Sequence, residues 1–399
     1  MDPKWFADKV ADSLLNNGSL AYNRSGGGGA GGGGYYYSNG SLGSSSAMDS
    51  SAYPLEALRP SLQWALIVLY SLTAIIAFCS HVTVIMVLYY GKKSSRELKK
   101  FLINLSLSDV CMALCSIPFT YTHFMLGHWV FHPFLCPLAS MATITALCVS
   151  VYTMIVIGID RYYAILHPLR HTGFVETKGV LILALIWLVG ALLAMPNMLT
   201  MRTTTFKYNS EILLDCREEW GGSGGEIYSI TLLLVTFALP LCGLIFIYGS
   251  IGYTILTRKP VGESQQLANT RSIASIKAIK MMSMVVILFA ICWTPIQMFN
   301  FVIWIFGDSL KTRTQFQMNI YVSSFFICHW LAMAHSLVNP FIYCFMSDNF
   351  RSDLKYFCSQ LKRRSLLRSS SSHKSSSMRY NNSKFGESYA PTGVESIEL

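Results

Sequence analysis

Residues 137–168 read PLASMATITALCVSVYTMIVIGIDRYYAILHP, and this stretch decides the fold. Its first 23 residues, 137–159, carry no charged side chain, and an acid and a base then follow as Asp160 and Arg161. A membrane-spanning helix needs about 20 mostly apolar residues, and a charge in the bilayer core costs roughly 2.5–3.5 kcal/mol on insertion scales. The stretch therefore predicts a transmembrane helix with a functional pair of charges at one end.

The composition indicates a membrane protein along most of the chain. The 399 residues are 52% hydrophobic and only 13% charged, whereas soluble domains carry about 25% charged residues. Six further apolar stretches of similar length predict an all-α membrane protein, a bundle of seven transmembrane helices. The seven predicted spans lie near residues 62–90, 101–126, 137–165, 179–201, 227–257, 281–306 and 316–346.

The distribution of Lys and Arg among the short loops predicts the orientation. Residues 91–100 hold five Lys and Arg against one Glu, whereas residues 202–226 hold three against five Asp and Glu. Because cytoplasmic loops are enriched in Lys and Arg, we expect a plasma-membrane protein with an extracellular N-terminus and a cytoplasmic C-terminus. The net charge of +10 then indicates contact with inner-leaflet lipid, and nucleic acid is not an expected partner.

The two ends of the chain differ from the spans in composition. Residues 1–60 are rich in Gly, Ser and Asn, which predicts a disordered extracellular segment. Three glycosylation sequons lie there, at Asn17, Asn23 and Asn39.

Beyond the predicted transmembrane domain, 61–346, the sequence predicts two cytoplasmic parts. Residues 347–358 alternate basic and apolar residues at helical spacing, which predicts a short amphipathic eighth helix on the inner leaflet. Cys358 at its end is a palmitoylation candidate or a free thiol. Residues 359–399 form a Ser-rich tail that we expect to be disordered.

The eleven cysteines separate by depth in the membrane. Most lie inside the predicted spans, where a lone Cys usually packs as a small apolar residue. Cys136 and Cys216 lie on the outer side, where oxidation is possible. We therefore expect one disulfide between them.

Polar residues inside the spans indicate a functional centre. Asp109 lies midway along the second predicted span, and an isolated acid in a membrane is by default functional. Ser150 and Asn339 are expected at a similar depth. Carboxylate, hydroxyl and amide oxygens together would suit Na⁺ with water, and we expect no other metal. The alternative is a buried polar network without an ion.

Each of the last three spans contains a proline: Pro240, Pro295 and Pro340. A proline inside a helix removes a hydrogen bond and bends the helix. We expect Pro340 to break the seventh helix and to free a carbonyl group there. Trp293, just before Pro295, completes a pattern that favours a bundle with two states.

Taken together, these motifs resemble those of the rhodopsin-like G-protein-coupled receptors, from about residue 62 to residue 358. The matching motifs are NLSLSD at 104–109, Cys136, DRY at 160–162, Trp187, Pro240 with Tyr248, FAICWTP at 289–295 and NPFIY at 339–343. Within that family, HWVF at 128–131 and TFKYN at 205–209 resemble the peptide branch, in particular the neuropeptide Y-type receptors and their orphan relatives. The resemblance implies a receptor rather than an enzyme.

The resemblance also implies a mechanism. An agonist binds from outside, the bundle rearranges, and Arg161 leaves Asp160 while a heterotrimeric G protein enters the inner side. Receptor kinases and arrestin would then act on the tail, at residues 369–372 and 375–377, although a merely solvated tail is an alternative. The switch residues so implied are Asp160, Arg161, Tyr162, Tyr248, Trp293, Pro295, Asn339, Pro340 and Tyr343.

Three positions depart from the family pattern. His81 stands where the family nearly always has Asn, and His335 stands where Asn or Ser is usual. Both histidines are expected near Asp109. They are either neutral histidines in buried hydrogen bonds, or a protonated histidine replaces Na⁺ and makes signalling pH-dependent. Ser275 replaces an acid that pairs with Arg161 in several relatives, which predicts appreciable basal activity.

The ligand is constrained by what the outer half contains. Thr143 occupies the place of the acid that binds ammonium in amine receptors, and span seven has no Lys for retinal. Acidic residues in the outer loop would attract a basic peptide, and an amidated peptide ending Arg-Phe or Arg-Tyr would suit them. A lipid or other small non-peptide ligand is the alternative. The candidate pocket residues are Thr143, Glu218, Glu219, Phe301, Trp304 and Asp308.

Overall fold

The computed structural model describes residues 60–92, 96–167, 174–208, 210–221, 223–257, 265–306, 315–360 and 362–363. Within these residues, seven helices are long and apolar enough to cross a membrane, which confirms the predicted seven-helix bundle. The predicted sites at Asn17, Asn23, Asn39 and Asp308, and the serines of the tail, lie outside the described residues. The spans, numbered first to seventh, are Pro60–Tyr90, Leu98–Leu126, Leu135–Leu166, Thr177–Thr200, Gly224–Thr257, Ile279–Val302 and Asn319–Met346.

The spans differ in how much of their surface the bundle covers. The most apolar windows of the second and seventh spans are each 61% buried, against 22% and 17% in the fourth and fifth. Residues that the bundle does not cover are also apolar, such as Leu181 and Phe246, as expected where a helix faces lipid. The third span packs against the second, fourth and fifth and so lies at the centre of the bundle.

Two spans are interrupted, for identifiable local reasons. In the second, one helix ends at Cys115 and the next begins at Ile117, and Pro118 follows with no N–H to continue the hydrogen-bond ladder. The fifth contains a π-helical segment, Leu234–Ala238, between the helices Gly224–Leu233 and Leu239–Thr257. Single π turns of this kind are often found at functional sites, and the pattern of apolar residues does not predict this one.

The predicted break at Pro340 is wrong, since the helix Gln315–Met346 continues through it. A proline cannot donate to the carbonyl four residues earlier, and here that carbonyl belongs to Ser336. His81 of the first span lies with Nε2 2.6 Å from this oxygen. Because a partner from another helix satisfies the freed carbonyl, the seventh helix does not need to break.

The loop between the fourth and fifth spans folds as a β-hairpin. Strand β1, Met201–Tyr208, pairs antiparallel with strand β2, Glu211–Glu218. A disulfide joins Cys216 of β2 to Cys136 at the start of the third span, as the sequence predicts, with Cα atoms 5.8 Å apart. The backbone N–H of Trp129 also donates to Leu214 in β2, at 2.7 Å. The hairpin is therefore fixed over the outer end of the bundle.

A short helix follows the seventh span at residues 348–360, close to the predicted 347–358. Its buried Asp353 accepts a hydrogen bond from the backbone N–H of Lys92 in the first inner loop, at 2.8 Å. Phe357 stacks with Tyr90, with ring centroids 6.0 Å apart. The thiol of Cys358 is exposed. This juxtamembrane helix is thus attached to the inner end of the first span.

Candidate functional site

The buried carboxylate of Asp109 joins three spans. Asn339 of the seventh span donates from Nδ2 to Oδ2 of Asp109, at 2.9 Å. His81 of the first span has Nε2 3.4 Å from the same oxygen and 2.6 Å from the carbonyl of Ser336. Because a carbonyl only accepts, Nε2 of His81 must carry a hydrogen. Of the residues predicted near Asp109, His81 and Asn339 therefore lie beside its carboxylate, and His335 lines the same cavity as Asp109.

Ser150 approaches from the third span through Ser108. The two hydroxyl oxygens are 2.8 Å apart, and Ser108 also donates to the carbonyl of Leu105. A cavity of about 10 Å³ lies beside them, which is room for one water at most. Its lining residues are Asp109, Met112, Leu147, Ser150, Phe289, Trp293, Ala332, Met333, His335 and Ser336.

Two residues of this cavity keep polar atoms without a protein partner. Among the described residues, neither ring nitrogen of His335 forms a hydrogen bond, and neither does Nε1 of Trp293. Phe289 links them, because its ring lies 5.5 Å from that of His335 and 6.0 Å from that of Trp293. Unpaired buried donors of this kind are usually satisfied by water.

This cavity does not fit a sodium ion. A hard cation is held by several oxygen ligands, and here oxygen from Asp109 and Ser150 is opposed by the nitrogen groups of His335 and Trp293. The indole of Trp293 can only donate, and the imidazole of His335 carries at least one N–H, so neither residue adds an oxygen ligand. The buried polar network without an ion fits the geometry better.

At the inner end, Arg161 is held by its neighbour. Nη2 of Arg161 lies 2.8 Å from Oδ2 of Asp160, and the release of this pair on activation stays a prediction. Tyr248 packs one turn away, since its Cε2 would lie 3.5 Å from a Cβ added at Gly158. Tyr343 is 1% exposed and packs against Phe350 of the juxtamembrane helix.

Trp293 and Pro295 lie in the continuous helix Gln265–Phe306. Trp293 is buried at the level of the Asp109 cavity. A rotation of its indole would therefore disturb the cavity and the sixth span together. Tyr162, another of the predicted switch residues, lies at the inner end of the third span, where its ring contacts those of Tyr163 and His167.

At the outer end, the hairpin buries one acid. Glu218 is 4% exposed, and Nε1 of Trp220 donates to its Oε2 at 2.8 Å. The Trp220 ring lies 5.0 Å from that of Tyr228 at the start of the fifth span. Glu219, one residue later, is instead 46% exposed and lies 3.7 Å from Arg217. The two neighbouring acids therefore have different environments.

Two further pocket candidates, Thr143 and Phe301, lie on the third and sixth spans. The Thr143 hydroxyl donates to the carbonyl of Ala139 in its own helix, at 2.7 Å. Phe301 is 41% exposed on the sixth span. The side chain of Trp304, like Asp308, lies outside the described residues. Among the described acids of the hairpin, Glu218 is the buried one beside the rings of Trp220 and Tyr228.

Two groups of residues were not found from the sequence. The Tyr70 hydroxyl lies 2.9 Å from Nδ1 of buried His329, across the first and seventh spans. His123 of the second span lies 3.0 Å from Asp215 of β2. In the sequence, these four residues are visible only as polar residues inside or beside apolar runs. That pattern does not specify which residue each of them contacts.

Comparison with known proteins places the chain in a family. The family model described as 7 transmembrane receptor (rhodopsin family) matches residues 80–343. The chain therefore belongs to the rhodopsin family of seven-transmembrane receptors, and it is a multi-pass membrane protein of a receptor family.

Its relatives include several receptors named after peptides. The chain is 31% identical to the substance-K receptor of Bos taurus over 315 residues, which cover 78% of this chain and 80% of that one. It is 29% identical to the tachykinin-like peptides receptor 99D of Drosophila melanogaster, over 72% of this chain and 56% of that one. It is 32% identical to the RYamide receptor of Tribolium castaneum, over 63% of this chain and 69% of that one. The narrower resemblance to neuropeptide Y-type receptors stays a prediction.

Proposed function

We propose that this protein is a plasma-membrane receptor that binds an extracellular neuropeptide and activates heterotrimeric G proteins. The observation that carries the proposal is the similarity to receptors named for substance K, tachykinin-like peptides and RYamide. The N-terminus and the hairpin would face the outside, and the Arg161 end would face the cytoplasm. Receptor kinases and arrestin would act on the Ser-rich tail after activation.

Glu218 is the proposed anchor for a basic residue of the peptide. A buried carboxylate gains most from a charge-assisted hydrogen bond, and an arginine can make two of them at once. The rings of Trp220 and Tyr228 beside it could also face a cation. The disulfide to Cys136 holds the strand that ends at Glu218. An amidated peptide with an arginine near its C-terminus fits this arrangement.

Inside the bundle, agonist binding would act by favouring one of two states. The pair of Arg161 and Asp160 would be kept in one state and lost in the other. A ligand shifts such an equilibrium only by its difference in affinity for the two states. Contacts at the outer hairpin would therefore have to change when the inner pair opens.

The first experiment measures G-protein activation in cells that express the full chain. A panel of amidated neuropeptides would include sequences ending Arg-Phe and Arg-Tyr, and Arg161→Ala would be measured alongside. We expect a concentration-dependent response to at least one peptide, which is lost in Arg161→Ala at equal surface expression. A panel without any response, at verified surface expression, would contradict the peptide proposal and favour a lipid or other small non-peptide ligand.

With an active peptide in hand, Glu218→Gln tests the anchor, and Glu219→Gln is the matched control. We expect Glu218→Gln to weaken the peptide at least about tenfold, because loss of one partner of a buried charge pair is costly. Glu219→Gln should change potency little, since its carboxylate is half exposed. Equal effects of the two substitutions would contradict the role of Glu218.

A further inference from the structure

Several polar atoms around Asp109 already contact other protein groups, so few of them remain to bind a cation. Oδ2 of Asp109 receives the amide of Asn339 at 2.9 Å and has Nε2 of His81 at 3.4 Å. The Ser150 hydroxyl is hydrogen-bonded to Ser108. Groups from the first and seventh spans therefore already surround one oxygen of this carboxylate, Oδ2.

His335 adds a further donor to the lining of the cavity. An imidazole carries at least one N–H in every protonation state, and the indole of Trp293 carries an N–H only. Both residues are buried and leave these atoms without a partner among the described residues. A water can accept from an N–H and donate to Asp109, whereas a cation can do neither. The cavity of about 10 Å³ also has room for one water at most.

We propose that this cavity binds one bridging water and excludes sodium, and that His335 sets this preference. Asparagine at position 335 would supply a carbonyl oxygen in place of a ring nitrogen and would be smaller. His335→Asn should therefore convert the water site beside Asp109 and Ser150 into a sodium site. The proposal does not rest on the peptide ligand, because the site lies in the middle of the bundle and is complete without one.

The test uses purified full-length receptor with sodium ion alone as the probe. Thermal unfolding is compared in sodium chloride and in choline chloride at equal ionic strength. Wild-type receptor should unfold at the same temperature in both salts. His335→Asn should be stabilised specifically by sodium, by about 3 °C at concentrations well above its dissociation constant. Adding Asp109→Asn to that variant should abolish the shift.

His329→Asn is the matched control, because His329 is also buried in the seventh span but contacts Tyr70 and does not line the cavity. It should remain insensitive to sodium. If His335→Asn does not fold, His335→Ser provides a second variant with an oxygen ligand. A sodium-specific stabilisation of the wild type would overturn the exclusion. Folded variants at position 335 with no sodium response would overturn the role of His335.

Discussion

Single residues in this receptor join parts of the chain that are far apart in sequence. Asp353 of the juxtamembrane helix accepts the N–H of Lys92, and Gly91 makes this approach possible. A Cβ added at Gly91 would lie 2.7 Å from the carbonyl oxygen of Val87 and closer still to the carboxyl group of Asp353. Both contacts are too close for any side chain. Glycine is therefore required at position 91, because a side chain there would clash with Val87 and Asp353.

Gly91→Ala should lower the thermal stability of the receptor. The added methyl group would displace the carboxylate of Asp353 and break its hydrogen bond, at a cost of about 1.5–3 kcal/mol for a bond to a charged group. Gly243→Ala is the matched control, because a Cβ added at Gly243 would have nothing within 4 Å. Thermal unfolding of both variants measures the difference. Equal stability of the two would show that Asp353 can move at no cost.

At the scale of elements, a contact joins the sixth span to the juxtamembrane helix. Nζ of Lys277, at the foot of the sixth span, lies 2.6 Å from Oδ2 of Asp348, and Arg351 also contacts this carboxylate. Hydrogen bonds from Lys277 and Arg351 lower the pKa of Asp348 below its ordinary value. The carboxylate therefore stays charged at neutral pH, and the pair is lost only as the pH falls through that lowered pKa.

Breaking this pair should raise basal signalling, because an outward movement of the sixth span would separate Lys277 from Asp348. Asp348→Ala should increase G-protein activation without agonist, by no more than about fivefold since exposed pairs contribute little. The exchange of charges in Lys277→Asp with Asp348→Lys should restore the wild-type level. The predicted basal activity that follows from Ser275 is measured in the same assay. An unchanged level in Asp348→Ala would exclude a role for the pair.

On the scale of the whole molecule, the orientation in the membrane is predicted from the distribution of charge among the loops. The predicted extracellular N-terminus carries sequons at Asn17, Asn23 and Asn39, whereas Asn104 lies in a further sequon inside the second span. Asn104 is buried, donates to Thr153 and accepts from Trp187. Its amide is thus unavailable for a glycan.

We expect glycosylation at the N-terminal segment. Replacing Asn17, Asn23 and Asn39 together by Gln should remove the glycosidase-sensitive mass of the receptor, since oligosaccharides are added only on the outer side. Asn104→Gln should leave this mass unchanged and serves as the control. Electrophoresis before and after glycosidase treatment measures both. Glycosidase-sensitive mass that persists in the triple variant would contradict this assignment.

Local features were predictable because they depend on neighbouring residues. The seven apolar runs predicted the seven spans, since an apolar stretch of this length is stable in lipid whatever it packs against. The pairing of Asp160 with Arg161 was expected from the resemblance of the DRY motif to that of the family. The hairpin at 201–218 was not predicted, because the hydrogen bond from Trp129 that positions it comes from another part of the chain.

The sequence by itself determined the number of spans, the expected orientation and the two cysteines that form the disulfide, Cys136 and Cys216. The tertiary structure decided which polar groups meet inside the bundle. His81 and Ser336 are 255 residues apart in the chain, and only the packing of the first span against the seventh brings them together. The same packing keeps the seventh helix continuous at Pro340 and leaves a cavity with room for one water. Buried polar partners depend on helix packing, which a pattern of hydrophobicity does not specify.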